Sequence, residues 1–138
     1  MKSRQLASLI LLLVAVSVVS AQSSKTIREK KISSQTVQEF FIEEGYNDPV
    51  VESIEKYNES GDVVELKEFN KGGEVKRWEK YVYNEDRDLV EEIFLDDKGK
   101  VTLTEKNIYA DGLRIEKHYL NPKGKMIKKK VYQYERRQ

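Results

Sequence analysis

The residues of this chain that could do chemistry are few and scattered along it. His118 is the single histidine and there is no cysteine, so a zinc site, which needs three or four such ligands, is not predicted. The segment Asp96-Asp97-Lys98-Gly99-Lys100 contains acids and a glycine but lacks the ligand spacing of a calcium loop. The adjacent Glu91 and Glu92 come with no sign of the cleft that a glycosidase requires. We therefore predict no catalytic residue, no metal site and no cofactor, and a protein that is not an enzyme.

The distribution of charge points to binding instead. Residues 38–68 contain ten acids against two lysines, whereas residues 114–137 contain nine bases against two glutamates. If sequence order becomes spatial order, one end of the fold is acidic and the other basic. That arrangement favours electrostatic docking of an oppositely charged partner, or of copies head to tail. The alternative is that charged sheet edges only prevent aggregation.

Aromatic residues form a second pattern, because they recur near the ends of the segments between turns. A row of tyrosines could stack sugars or peptide segments, although packing across neighbouring strands is the alternative. The predicted partner-binding residues combine both patterns. They are Lys128, Lys129, Lys130, Trp78, Tyr81, Tyr83 and Tyr119.

The first residues match a secretory leader. Met1-Lys2-Ser3-Arg4 is basic, Leu6 to Val19 is an uncharged stretch, and Val19-Ser20-Ala21 ends it with small residues. We predict a signal peptide over residues 1–21, cleaved after Ala21, and a periplasmic or secreted protein. The uncharged stretch is shorter than the roughly 20 residues of a membrane-spanning helix. No transmembrane segment is therefore expected after cleavage, and a retained anchor is the alternative.

Composition limits both the partner and the core. Removing Lys2 and Arg4 with the leader takes the 25 Lys and Arg residues to 23, against 24 Asp and Glu. Nucleic-acid binding depends on excess positive charge, so a nucleic-acid partner is not expected. Hydrophobic residues make up 38% of the chain and charged residues 36%, which predicts one domain with a thin core.

A short repeated motif predicts the architecture. An aromatic residue or Leu is followed by Asn or Asp just before a turn, and two such steps make a unit of about 26 residues. Most of the turns contain Gly, which tolerates the positive φ of a hairpin. The turn at Asp86-Arg87 lacks Gly, so Asn84 or Asp86 is expected to take the strained position. The tyrosines that mark successive units are Tyr57, Tyr83, Tyr109 and Tyr134.

The segments between turns are rich in Val, Ile, Thr and aromatic residues, which favour strands. We therefore predict an all-β fold, an antiparallel β-meander of about seven to nine strands built from hairpin repeats. A single-layer or rolled sheet is favoured, and a small closed barrel is the alternative. Because the repeat length is even, odd-numbered residues are expected to share one, more apolar face.

The start of the mature chain is less regular. Residues 22–35 are polar and form an N-terminal segment that could begin disordered, and the β-repeat domain is expected to span residues 36–138. Thr36-Val37-Gln38-Glu39 matches a helix capping box, whereas the repeat counted back from Tyr57 predicts a strand. The strand is favoured for residues 36–44, and the helix is the alternative.

The turns have the form Tyr-Asn-x-x-Gly or Leu-Asp-x-x-Gly, as in Tyr57-Asn58-Glu59-Ser60-Gly61 and Leu95-Asp96-Asp97-Lys98-Gly99. They resemble the YD-type repeats of bacterial secreted and surface proteins, over about residues 50–135. They are also similar to the related short β-repeat proteins that bacteria export. The resemblance implies an antiparallel sheet and an exported, bacterial location, and it carries over no catalytic residue. The chain departs from the pattern by using Asn more than Asp and by lacking Gly near Arg87.

Together these observations favour a non-enzymatic exported protein that acts as a protein-binding or scaffolding module of the bacterial cell envelope. Its partner is expected to be an envelope or extracellular protein, or a second copy of the chain. The alternative is binding of a glycan or small ligand through an aromatic-lined face of the sheet.

Overall fold

The structure, a computed structural model, describes residues 23–42 and 48–138. The predicted leader, residues 1–21, and its cleavage site lie outside the described residues. So does part of the connection that follows the first strand.

One antiparallel sheet contains most of the described residues. Its strands are β1 (Ser34–Glu39), β2 (Val50–Tyr57), β3 (Val63–Phe69), β4 (Val75–Tyr83), β5 (Leu89–Leu95), β6 (Val101–Ala110), β7 (Leu113–Leu120) and β8 (Met126–Val131). Each strand pairs with its neighbours in sequence, so the spatial order is β1 to β8. This confirms the predicted all-β meander. Of the strand predicted over residues 36–44, β1 confirms residues 36–39, residues 40–42 belong to no strand, and residues 43–44 lie outside the described residues. Within the described residues β1 and β8 each have one neighbour, so the sheet is open and the closed alternative is wrong.

A short helix precedes the sheet, where a polar segment that could begin disordered was expected. Helix α1 (Ser24–Glu29) starts at Ser23, whose side chain accepts a hydrogen bond from the Thr26 backbone N–H. Such a cap satisfies one of the free N–H groups at a helix start. Ile27 is 4% exposed, and α1 lies against Gly61 in the turn between β2 and β3. The helix is therefore held by this contact as well as by its cap.

The turns between strands repeat one geometry. In the turn that begins at Asn58, the Gly61 N–H donates to the Asn58 carbonyl and the Asp62 N–H donates to the Asn58 side chain, at 3.0 and 2.9 Å. The register shifts by one residue beside each such turn, as a β-bulge. The same side-chain acceptor begins the turns at Asn70, Asn84, Asp96 and Asn121.

The predicted unit of about 26 residues is a hairpin fastened by a tyrosine. Tyr83, at the end of β4, donates its hydroxyl to the Val63 carbonyl at the start of β3, at 2.9 Å. Tyr109 and Tyr134 make the equivalent bonds in the next two hairpins, to carbonyls 20 residues earlier. Tyr57 donates instead to side chains of β1 and β2. The hairpins β3–β4, β5–β6 and β7–β8 are therefore structural repeats.

The prediction that odd-numbered residues share one face of the sheet is wrong. Cross-strand partners lie on the same face, and Tyr81 of β4 pairs with Glu92 of β5, whereas Lys80 pairs with Ile93. Tyr81 and Ile93 therefore lie on opposite faces. The even unit does preserve the face from one hairpin to the next. Away from the bulges, however, the residue numbers of paired positions in β3 to β6 add to an odd number, so parity changes from one strand to the next.

The sheet has little apolar core. Among the described residues the buried hydrophobic side chains are Ile27 and Tyr119, and no side chain is wholly buried. Ion pairs cross between strands instead, such as Lys56 with Glu65 at 2.8 Å and Lys106 with Glu91 at 3.4 Å. Each such pair contributes about 0.2–1 kcal/mol.

The expectation for the turn that lacks Gly is also wrong, because Arg87 itself takes the left-handed conformation with φ 66°. Its side chain reaches α1 and the turn between β2 and β3. The Arg87 Nε donates to an Asp62 carboxylate oxygen at 3.0 Å, and its Nη2 donates to the Ser24 hydroxyl at 3.2 Å. The ion pair thus fastens together two turns and the helix, while the backbone of Arg87 is strained.

Arg87→Gly is expected to be more stable than Arg87→Ala by about 1 kcal/mol, because only glycine relieves the left-handed strain. Both substitutions remove the ion pair with Asp62, so their difference isolates the backbone effect. Thermal unfolding of the two variants at neutral pH measures it. Equal midpoints would show that the backbone at residue 87 is not strained.

Candidate functional site

The two faces of the sheet differ, and we name each after one β4 residue. The Glu79 face carries Glu79 and its cross-strand partners Leu66 and Phe94. The Trp78 face carries Trp78 and its partner Lys67. The most buried residues of the sheet lie on the Glu79 face, although two of the three are polar. They are Glu79 at 5% exposed, Asn107 at 5% and Tyr119 at 7%.

Glu79 is the centre of a hydrogen-bond network. It accepts from the Arg77 Nε at 2.6 Å, from the Arg77 Nη2 at 2.8 Å and from the Tyr81 hydroxyl at 2.5 Å. Burial alone would raise the pKa of Glu79, but the hydrogen bonds from Arg77 and Tyr81 outweigh burial and lower it. Burial and the bond to Glu79 raise the pKa of Tyr81. Glu79 is therefore ionised, and Tyr81 a neutral donor, at neutral pH.

A row of cross-strand partners runs from Tyr81 to the basic edge. Glu92 is the middle carboxylate of three, between Glu79 and Glu105. Burial, followed by the charges of Glu79 and Glu105, raises the pKa of Glu92. Glu105 also forms an ion pair with Lys117, which lies on the same face beside the row, so side chains of both charges meet along this part of the sheet. In order, its members are Tyr81, Glu92, Glu105, Tyr119 and Lys128.

Three ammonium groups surround the ring of Tyr119 at the end of this row. The Nζ of Lys128 lies 3.8 Å from the ring centroid, and those of Lys117 and Lys130 each lie 5.7 Å from it. Cations over an aromatic face are attracted by its quadrupole. Among the described residues, Lys117 has a carboxylate partner in Glu105, whereas Lys128 and Lys130 have none. The two β8 lysines are therefore positioned but not neutralised.

Strand β8 forms one edge of the sheet. Within the part of the chain that the structure describes, it pairs with β7 alone. All six of its residues are exposed, and residues 132–138 make no further strand. Lys129 lies on the Trp78 face and contacts Glu116 at 3.2 Å, and Glu116 also contacts His118 at 2.5 Å. The edge thus presents free backbone groups beside a group of lysines.

The structure brings some of the predicted binding residues together and separates others. Tyr119, Lys128 and Lys130 form one cluster, and Tyr81 shares their face. Trp78 lies on the opposite face, where the Lys67 Nζ covers its ring at 3.9 Å and its indole N–H donates to Glu65 at 2.8 Å. The predicted aromatics are therefore not one continuous surface.

The sequence interpretation missed the buried polar residues of the Glu79 face. Their signal was present in the repeat, because Glu79 and Glu105 are 26 positions apart and so occupy equivalent places in successive hairpins. Lys117 was missed because lysines usually mark solvent-exposed positions.

The order of the strands confirms that sequence order becomes spatial order. The acidic segment forms β2 and β3 near one side of the sheet, and the basic segment forms β7 and β8 at the other. Within residues 23–42 and 48–138, no cluster of three acidic, His or Cys side chains is arranged to hold a metal ion. The described helix is too short and too polar to cross a membrane.

Comparison with protein-family models and with curated proteins gave no match for this chain.

Proposed function

We propose that this protein is a non-enzymatic binding module that takes an extended segment of another protein as a ninth strand along β8. The observation that carries the proposal is the edge of β8, which among the described residues has a β-strand neighbour on one side only. Recognition by strand addition uses such edges, because main-chain hydrogen bonds supply affinity and side chains supply specificity. The backbone N–H and C=O groups of β8 that point away from β7 determine which residues the partner strand would pair with.

The outward backbone groups of β8 follow from its pairing with β7. The Tyr132 N–H donates to the Ile115 carbonyl of β7 at 3.0 Å. In an antiparallel pair, alternate residues bond to the neighbouring strand and the residues between them face away. Lys130 and Lys128 therefore bond to β7, whereas the N–H and C=O of Lys129 point away from it. An incoming strand would pair with Lys129.

Charge supports a partner that differs from β8 itself. Two β8 edges placed side by side would bring three lysines of each copy together, and facing like charges are destabilising. Lysine on an edge strand is a common protection against this pairing. The same lysines attract an acidic segment and speed its encounter with the edge.

The predicted leader supports an exported location, and the repeat resemblance supports a bacterial envelope. An exported module of this kind would meet its partner outside the cytoplasm. This placement is part of the proposal and rests on residues 1–21 and on the turn motif.

Lys129→Pro is expected to abolish partner capture, and Lys129→Ala to leave most of it. Proline removes the outward N–H without breaking a bond to β7, and edge strands tolerate it where that group faces solvent. Alanine removes the same charge but keeps the N–H. Purification of each tagged protein from the envelope fraction of its own cell, with the co-purifying proteins quantified, compares the two.

We expect at least a tenfold loss of capture for the proline variant, which corresponds to about 1.4 kcal/mol. Circular dichroism confirms that both variants keep their β-structure. Equal capture by the two variants, or no partner captured by the unsubstituted protein, would contradict strand addition at β8.

A further inference from the structure

Side chains of β8 present different chemistry on the two faces of the sheet. Lys128 and Lys130 lie on the Glu79 face, as their pairing with Tyr119 and Lys117 shows. Ile127 and Val131 alternate with them and lie on the Trp78 face, where they are 61% and 59% exposed. A strand added to this edge would therefore meet lysines on one face and aliphatic side chains on the other.

Contacts with Tyr119 hold the ammonium groups of Lys128 and Lys130 in place at the edge. The Lys128 ammonium is held 3.8 Å from the Tyr119 ring centroid, and Tyr119 is itself buried. Within the described part of the chain, neither Lys128 nor Lys130 has a carboxylate partner. Lys129, on the other face, is already paired with Glu116. The positive charge open to a partner is thus concentrated on the Glu79 face.

We infer that the ninth strand is an acidic peptide segment with two acidic side chains two residues apart, facing Lys128 and Lys130, and flanking apolar side chains that face Ile127 and Val131. The inference rests on the proposed function. It gives the partner the order apolar, acidic, any residue, acidic, apolar. Directly opposite side chains in a sheet interact most strongly, which is why the spacing of the acids matters.

The free backbone groups favour a peptide over an anionic glycan. The edge offers an outward N–H and C=O at Lys129 between the two lysines. An anionic polysaccharide could form ion pairs with the lysines, but it could not match the regular alternation of backbone donors and acceptors along the strand. A glycan would also gain nothing from the apolar side chains of the Trp78 face.

Two synthetic peptides of identical composition test the inference. The first carries the predicted order within polar flanks. The second exchanges the acidic and apolar positions, so that its acids lie four residues apart and its net charge is unchanged. Fluorescence anisotropy of labelled peptides, titrated with the protein at low ionic strength, measures both affinities. The first peptide is expected to bind about fivefold more tightly, the effect of two exposed cross-strand ion pairs.

Matched variants assign the preference to the two lysines. Lys128→Gln with Lys130→Gln is expected to remove the difference between the peptides. Lys123→Gln with Lys125→Gln removes the same charge from the exposed turn before β8 and is expected to preserve the difference. Lys129→Pro is expected to weaken the binding of both peptides.

The outcomes separate the inference from the proposed function. Equal binding of the two peptides, or a preference that survives the Lys128 and Lys130 substitutions, overturns the acidic spacing. If Lys129→Pro still abolishes capture of the cellular partner, strand addition stands and only the partner's chemistry is wrong. Tighter binding of an anionic oligosaccharide than of the first peptide would also overturn the inference.

Discussion

Glu79→Gln is expected to lower the free energy of unfolding by about 2–3 kcal/mol at neutral pH. The carboxylate is nearly buried and accepts three hydrogen bonds from Arg77 and Tyr81. Breaking a buried ion pair typically costs about 3–5 kcal/mol, and the half-exposed Arg77 side chain reduces that cost. The side-chain NH2 group of glutamine is also a hydrogen-bond donor, and it would face the donors of Arg77 and Tyr81 at the position where the carboxylate accepts from them. Urea unfolding, followed by circular dichroism, measures the loss.

The loss of stability in Glu79→Gln is expected to decrease as the pH falls. The pKa of Glu79 is lowered in the folded protein, so its stabilisation is fully present above the ordinary carboxyl range, about pH 4.3. It is lost as the pH falls through the lowered pKa. The difference between Glu79→Gln and the unsubstituted protein is therefore expected to be largest at neutral pH and to shrink in acid. A difference that does not change with pH would show that lost packing, rather than lost charge, explains the effect.

Glu92→Gln is the matched control, on the same face and with the opposite expected sign. The pKa of Glu92 is raised, so its ionised form destabilises the fold, and this cost is complete above the raised pKa and absent below the ordinary range. The variant should therefore be more stable than the unsubstituted protein at neutral pH, and the gain should vanish in acid. Destabilisation by both substitutions at neutral pH would contradict the charge arrangement of this face.

The number and order of the strands could be predicted because the turns are local. Asn or Asp before a Gly specifies a turn through bonds within five residues, and evenly spaced turns leave little freedom except a meander. The faces could not be predicted in the same way. Each bulge shifts the register by one residue, and a shift of one residue reverses the face of every later side chain.

Helix α1 was missed for a related reason. Its six residues contain one buried apolar side chain, Ile27, so they give no helical periodicity. A helix this short is marginal alone and depends on tertiary contacts, here with Gly61 and Arg87. These contacts join segments that are far apart in the sequence, so a local sequence pattern cannot predict them.

The candidate site was predictable in part. Lys128 and Lys130 meet Tyr119 because β7 and β8 form one hairpin, and hairpin partners follow from the turn between them. Trp78 could not be assigned to the other face without the register. Glu79 could not be singled out from the sequence, because only its burial distinguishes it from a solvent-exposed glutamate.

A close backbone contact lies between α1 and the turn at Gly61. Gly61 has φ 80°, and a Cβ placed there would overlap the Ser24 carbonyl and lie 3.0 Å from the Arg28 backbone nitrogen. Gly73 has φ 81° in an equivalent turn, and a Cβ there would meet no atom of the described residues within 4 Å. The two glycines therefore carry the same conformational demand but differ in what surrounds them.

Gly61→Ala is accordingly expected to cost about 3 kcal/mol, against about 1 kcal/mol for Gly73→Ala. The shared part is the strain of alanine in the left-handed region. The additional part is the loss of the α1 contact, with the burial of Ile27, which is worth roughly 1.5–3 kcal/mol. Limited trypsin digestion gives an independent measure, because α1 and the residues after it contain Lys25, Arg28, Lys30 and Lys31. Faster cleavage there is expected for Gly61→Ala and not for Gly73→Ala, since only the first substitution displaces the helix. Equal stability and equal cleavage of the two variants would mean that α1 does not rest on the turn.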